Sequence, residues 1–113
     1  MLPKINRLTK EKDFEEIFKK GKSIRNDFLV LKLLKNNLKE SRFGFIVSKK
    51  VSNKATVRNK IKRRLRDTVL GELKNTGQSI DVVIIALPQI KEKEFLEIQD
   101  IVKKAFKKIG MGV

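Results

Sequence analysis

Residues 80 to 87, Ile-Asp-Val-Val-Ile-Ile-Ala-Leu, are apolar on both alternating faces and stop at Pro88. A strand with one face in water alternates polar with apolar residues; this one does not, so it has to be covered on both sides and sit near the middle of a sheet. The chain must therefore supply strands to flank it and helices to cover it. Its longest unbroken apolar run, Val82 to Leu87, falls far short of the roughly 20 residues that a membrane span needs. The start, Met1-Leu2-Pro3-Lys4, leads straight into charged residues, so neither export nor membrane insertion is expected and the cytoplasm is the expected compartment. The absence of cysteine fits a reducing compartment and removes thiolate zinc sites.

The rest of the chain supplies those partners. Thr9 is a candidate N-cap for a helix running to about Lys20, with Phe14, Ile17 and Phe18 on one face and Gly21 as its stop. Residues 28 to 34 alternate, placing Leu29, Leu31 and Leu33 on one face and Phe28, Val30 and Lys32 on the other. Asn36, Asn37 and Glu40 mark a turn into a second strand, Arg42 to Ser48, so the two strands are expected to form a hairpin. A second helix is predicted from near Thr56 to about Leu73, with Val57, Ile61, Leu65, Val69 and Leu73 forming its buried stripe and Asn75 and Gly77 ending the segment. A last helix, about Glu92 to Ile109, puts Phe95, Ile98, Val102, Ala105, Phe106 and Ile109 on one face before Gly110. The predicted fold is α+β in the order α-β-β-α-β-α, a single sheet packed by helices, and residues 1–113 are expected to form a single domain with one core.

Charge narrows the partner. The formal net charge is +15, and between Arg42 and Arg66 stand ten Lys or Arg residues without one Asp or Glu. On the second helix Arg58, Lys62 and Arg66 form an i, i+4, i+8 row, with Asn59 and Arg63 in the adjacent row. Like charges so placed repel, and a solvated face normally mixes signs, so a polyanion is the expected occupant. A membrane surface fits poorly, because the apolar stripe of this helix carries no aromatic and is needed for the core.

Catalysis by the protein alone is not expected. Asp13, Asp67 and Asp81 lie singly on different elements, reading as a helix first-turn acid, a partner for nearby basic residues and a strand-edge residue. A metal-dependent nuclease needs carboxylates clustered around its cation, so no metal site is expected on the protein. Metal-free RNA cleavage commonly uses histidine as acid and base, and the chain has none. Among the seven phenylalanines, Phe43, Phe95 and Phe106 read as core. Phe14, Phe18 and Phe28 read either as core or as a groove with Lys32 and Lys49 nearby, since aromatics beside cations hold single strands by stacking.

The stretch Arg42-Phe-Gly-Phe-Ile-Val-Ser-Lys-Lys50, then Ala55 and Arg58-Asn-Lys-Ile-Lys-Arg-Arg-Leu-Arg-Asp67, closely resembles the signature of the bacterial ribonuclease P protein component family. Arg7-Leu8, Asp13-Phe14, Ile17-Phe18 and Gly21 resemble that family's first helix. The likeness runs from about residue 7 to 109 in element order and from 7 to 67 in specific motifs. It implies a two-layer sandwich like a ribosomal-protein domain, with a left-handed strand-helix-strand crossover where the general rule favours a right-handed one. It also implies a ribonucleoprotein endoribonuclease whose RNA subunit, with magnesium ions, hydrolyses the phosphodiester, while the protein carries no cofactor of its own and requires no protein partner. By this likeness Lys49, Lys50, Arg58, Asn59, Lys60, Lys62, Arg63 and Arg66 contact the catalytic RNA. Phe14, Phe18, Phe28, Lys32 and Lys49 then hold the single-stranded 5′ leader of precursor tRNA. Three positions depart from the pattern: Lys60 replaces an Arg, which weakens bidentate phosphate contact; Ser52 stands where some members have Gly, which alters a loop; Leu31 falls where some have an aromatic, which thins the stacking surface. The alternatives are a basic ribosomal protein, which would sediment with ribosomal subunits, and a DNA regulator, which the strands flanking the basic helix disfavour.

Overall fold

The computed structural model describes residues 3–72 and 79–108. After a 3-10 turn at Lys4–Asn6 come helix α1 (Glu11–Lys20), strands β1 (Lys22–Arg25), β2 (Leu29–Lys35) and β3 (Arg42–Ile46), helix α2 (Ala55–Glu72), strand β4 (Ile80–Ala86), a 3-10 turn at Pro88–Glu92 and helix α3 (Phe95–Lys108). The expected positions Leu73, Asn75, Gly77, Ile109 and Gly110 lie outside the described residues. The fold is α+β, and it holds one strand, β1, that the sequence reading did not contain.

β4 takes the centre of a four-stranded sheet of order β1-β2-β4-β3. It pairs antiparallel with all seven residues of β2 and parallel with β3. The expected hairpin between β2 and β3 is thus corrected, because β4 lies between them. A strand apolar on both faces gains most from two ladders, and the polar link after β2 carries the chain past its end. Asn36 secures that link: its N–H donates to Ser79 O at 3.0 Å, and its side-chain nitrogen donates to Asp81 Oδ1 at 2.7 Å. The hairpin that does form joins β1 and β2, with Ile24 opposite Leu31. Asn26 closes its turn, its Oδ1 accepting the N–H groups of Phe28 and Leu29 at 2.8 Å each.

The two faces of the sheet are unequal. Leu29, Leu31, Phe43, Phe45, Val82 and Ile84 pack with Ile61, Leu65 and Val69 of α2 and Ile98, Val102 and Phe106 of α3 in one large core. The rings of Phe43 and Phe106 stack at 6.1 Å. The opposite face holds a small cluster of Leu8, Ile17 and Val83, with Phe14, Leu34, Ile46 and Ile85 half-buried around it.

Helix α1 is seated on this second face by two glycines. A Cβ on Gly21 would stand 2.5 Å from Ile17 O and 2.6 Å from Leu33 O, so the turn after α1 can press against β2 only without one. Gly21 therefore ends the helix by close approach, in an extended conformation, and not as a left-handed cap. A Cβ on Gly44 would meet the Phe14 ring at 2.6 Å, so the ring lies directly on β3. At the start of α1 the N-cap is Lys10, with no side-chain cap bond, in place of the expected Thr9.

Candidate nucleic-acid interface

The ten cations between residues 42 and 66 divide by position. Arg42 turns inward, where its Nε and Nη2 donate to the two carboxylate oxygens of Asp81 at 2.8 and 2.6 Å and its Nη1 donates to Asp13 at 3.2 Å. Asp81 is 5% exposed, so it is a buried acceptor in the central strand, and the expectation of a strand-edge residue is corrected. The hydrogen bonds to Asp81 raise Arg42 further above its ordinary range, outweighing the burial that opposes its charge. This triad ties α1, β3 and β4 together. Asp13 is its third member, which accounts for that acid structurally, and Asp67 is exposed on α2.

The row of Arg58, Lys62 and Arg66 also divides. Arg58 is half-buried and donates through Nη1 to the backbone carbonyls of Ser52 and Asn53 at 3.0 and 3.1 Å. Lys62 and Arg66 reach around the outer strand to a cavity of about 330 Å³ that Leu8, Phe14, Phe43 and Phe45 line from the apolar side. Arg7 and Thr9 complete its rim. These two residues were not among the expected site residues, and the signal for them was the Arg7-Leu8 pair: the Leu8 N–H donates to Phe43 O at 2.9 Å, laying the segment along β3. On the outer side of α2, Thr56, Asn59, Lys60, Arg63 and Arg66 line a shallow hollow. Arg66 borders both, so the aromatic cavity and the cationic hollow adjoin at that side chain. Lys49 and Lys50 are exposed in the turn after β3.

Of the three uncertain phenylalanines, the structure brings two together. Phe14 and Phe18 stand one turn apart on α1; Phe14 is half-buried over Gly44, and Phe18 is 43% exposed. Lys32 shares their face of the sheet, since Lys32, Val83 and Gly44 occupy one row across β2, β4 and β3. Phe28 does not join them. It precedes β2 and packs against the α2 and α3 core, with Lys93 Nζ 5.0 Å from its ring centre. Its expected place in a shared groove is corrected, because the bend at Asp27 and Phe28 takes it out of the strand's alternation. Leu31 is 1% exposed in that same core, so it neither forms nor thins a stacking surface beside α1.

Among the described residues there is no group of three or more His, Cys, Asp or Glu able to hold a metal ion, and no helix long and apolar enough to cross a membrane. Asp13 and Asp81 are already engaged by Arg42.

The comparisons with known proteins agree with this geometry. Residues 2–110 match the family model described as Ribonuclease P. The ribonuclease P protein component of Alkaliphilus metalliredigens is 36% identical over 106 residues, covering 94% of this chain and 95% of that relative. The solved structure of the Staphylococcus aureus RNase P protein superposes with a TM-score of 0.89 at 31% identity, covering 96% of this chain and 98% of the other. For the RNase P protein from Thermotoga maritima the TM-score is 0.80 at 30% identity, over 89% and 96%.

Proposed function

Because the chain belongs to the ribonuclease P protein component family, we propose that it acts in the cytoplasm as the protein subunit of that ribonucleoprotein endoribonuclease, binding the catalytic RNA through the outer side of α2 and the 5′ leader of precursor tRNA beside α1. The family match favours this reading over that of a ribosomal protein. The observation that carries it is the adjacency, at Arg66, of an acid-free cationic hollow and an aromatic-floored cavity.

Each part suits a different state of RNA. The hollow offers Asn59, Lys60 and Arg63 to phosphates, with the planar groups of Asn59 and Arg63 able to fix orientation as well as attract charge. Lys60 there supplies charge without a fork. The cavity and the adjoining face offer the Phe14 and Phe18 rings with Lys32, Lys62 and Arg66 around them, a combination that holds unpaired bases by stacking and their backbone by charge. Lys49 and Lys50 extend the cationic surface along the preceding turn.

Hydrolysis is assigned to magnesium ions held by the RNA. Among the described residues no three carboxylates cluster as a metal site would need, and Asp13 and Asp81 already serve Arg42. The protein's part is to hold both RNAs in register.

Reconstitution tests the proposal. The purified protein mixed with the catalytic RNA and magnesium should cleave precursor tRNA at the 5′ end under conditions where protein alone does not. Specific cleavage by RNA-free protein, or no change in RNA-catalysed cleavage on adding it, would refute it.

A further inference from the structure

We propose that Arg58 is a positioning residue: it locks the turn before α2, and so sets where Lys49, Lys50 and Lys54 meet the RNA. The inference rests on the RNA-binding reading above and concerns how that surface is held in shape. By spacing alone Arg58 belongs to the phosphate-facing row of α2; its hydrogen bonds place it elsewhere.

The turn from Ser48 to Lys54 is anchored at several points. Val51 is 2% exposed and fixes its middle to the core. The Ser48 carbonyl accepts from Val51 N–H at 3.1 Å, and Ser48 Oγ accepts from Lys50 N–H at 3.3 Å. Ser52 Oγ accepts from Lys54 N–H at 3.2 Å, and the Lys54 carbonyl takes the N–H groups of Val57 and Arg58 at 3.1 Å each, which starts the helix. Arg58 closes the arrangement from the helix side, with one nitrogen shared between the Ser52 and Asn53 carbonyls.

Two consequences follow from that bond pattern. The first turn of α2 holds no acid, so the partial positive charge at its N-terminus and the lysines before it repel one another. Without a clamp the turn would spread, and its exposed cations would lose their shared geometry. Neutral carbonyls satisfy the guanidinium without cancelling its charge, so the clamp leaves the surface cationic. A surface ordered before binding spends less of its contact energy on ordering lysine side chains and backbone.

The test is a double-mutant cycle on the full chain, read as affinity for a transcript of the cognate ribonuclease P RNA, together with amide exchange on the RNA-free protein. Arg58→Ala should weaken binding by about tenfold. In that background the Lys49→Ala, Lys50→Ala pair should cost less than about twofold, although the same pair costs several-fold in the wild type. Arg63→Ala, acting on a separate part of the surface, should add its full effect to the lysine pair. Exchange at residues 50 to 54 should accelerate at least about tenfold while the interior of α2 is unchanged. Arg58→Met, which keeps the aliphatic stem, should give the same pattern and replaces the alanine variant if that one fails to fold. Additive effects of Arg58 and the lysine pair, with unchanged exchange in the turn, would overturn the proposal and make Arg58 a direct RNA contact. Accelerated exchange in a protein whose wild type binds no ribonuclease P RNA would uphold the clamp and refute the functional reading on which its purpose depends.

Discussion

The two faces of the sheet differ in how completely they are closed. The face under α2 and α3 buries a continuous set of side chains from three strands and both helices. Among the described residues the face under α1 has a buried hydrophobic cluster of just Leu8, Ile17 and Val83, and it leaves Phe18 in contact with solvent. A core of the first kind supplies stability; a partly open apolar face lined with cations supplies a place for a ligand. One thin sheet serves both purposes because successive residues of each strand point opposite ways.

Substitutions on the two faces should separate accordingly, and the largest loss of stability belongs to the closed one. Phe106→Ala removes a fully buried ring from its stack with Phe43 and should cost about 3 to 5 kcal/mol in denaturant unfolding. All RNA-dependent activity would fall in parallel. A loss below about 1 kcal/mol would mean that this face is looser than its packing indicates.

Arg42→Ala should follow, at about 3 kcal/mol, because Asp81 would stay buried without its cation. Its signature is a destabilised protein whose RNA affinity keeps the same salt slope, whereas Arg63→Ala should keep its stability and lower the slope by about 1. An Arg42 variant with a reduced slope would move that residue from the fold to the interface. The sign of its titration supports a structural role. Its raised pKa means that the pair's contribution is fully present below the ordinary arginine range and is lost only as pH rises through the still higher folded value.

Gly21→Ala comes next. Its Cβ would press on two backbone carbonyls, and relief requires α1 to lift from β2 at a cost of about 2 kcal/mol. Precursor binding should weaken more than binding to the catalytic RNA, since α2 is not displaced. Equal losses would show that the two faces are mechanically coupled.

Phe18→Ala should have the smallest effect on stability, within about 0.5 kcal/mol, because the ring is substantially exposed. Its effect should appear in recognition, weakening precursor tRNA by roughly five- to 150-fold while leaving mature tRNA nearly untouched. Unchanged discrimination together with a large drop in melting temperature would assign Phe18 to the core.

Strong periodicity made most of this legible before the structure. The central strand, the Ile61, Leu65 and Val69 stripe of α2 and the Ile98, Val102 and Phe106 face of α3 all stand where their spacing put them. β1 escaped because four residues with a single apolar side chain, Ile24, carry almost no pattern. Strand order escaped for a different reason: adjacency in sequence suggests adjacency in space, but pairing with β4 outweighs a local turn. At the site, residue types were easier to read than directions. Arg58, Lys62 and Arg66 share a spacing, yet their long side chains end at a backbone turn, an aromatic cavity and a hollow. Phe28 was misplaced by one residue of strand boundary, which is enough to change faces.

The placement of β4 has a bearing on how the protein is made. Synthesis delivers the β1–β2 hairpin and then β3 with α2, but the strand that joins them leaves the ribosome after all of these. Until residue 86 has emerged, the inner edges of β2 and β3 stay open and their apolar side chains have no sheet to share. Such an interval favours contact with chaperones or with other nascent chains. The basic helix is drawn out before its support exists, so an RNA that reached it early would meet a segment not yet held in place. Assembly with RNA should accordingly begin only once the last strand has been threaded into the middle, which can be followed by stalling translation on either side of that point.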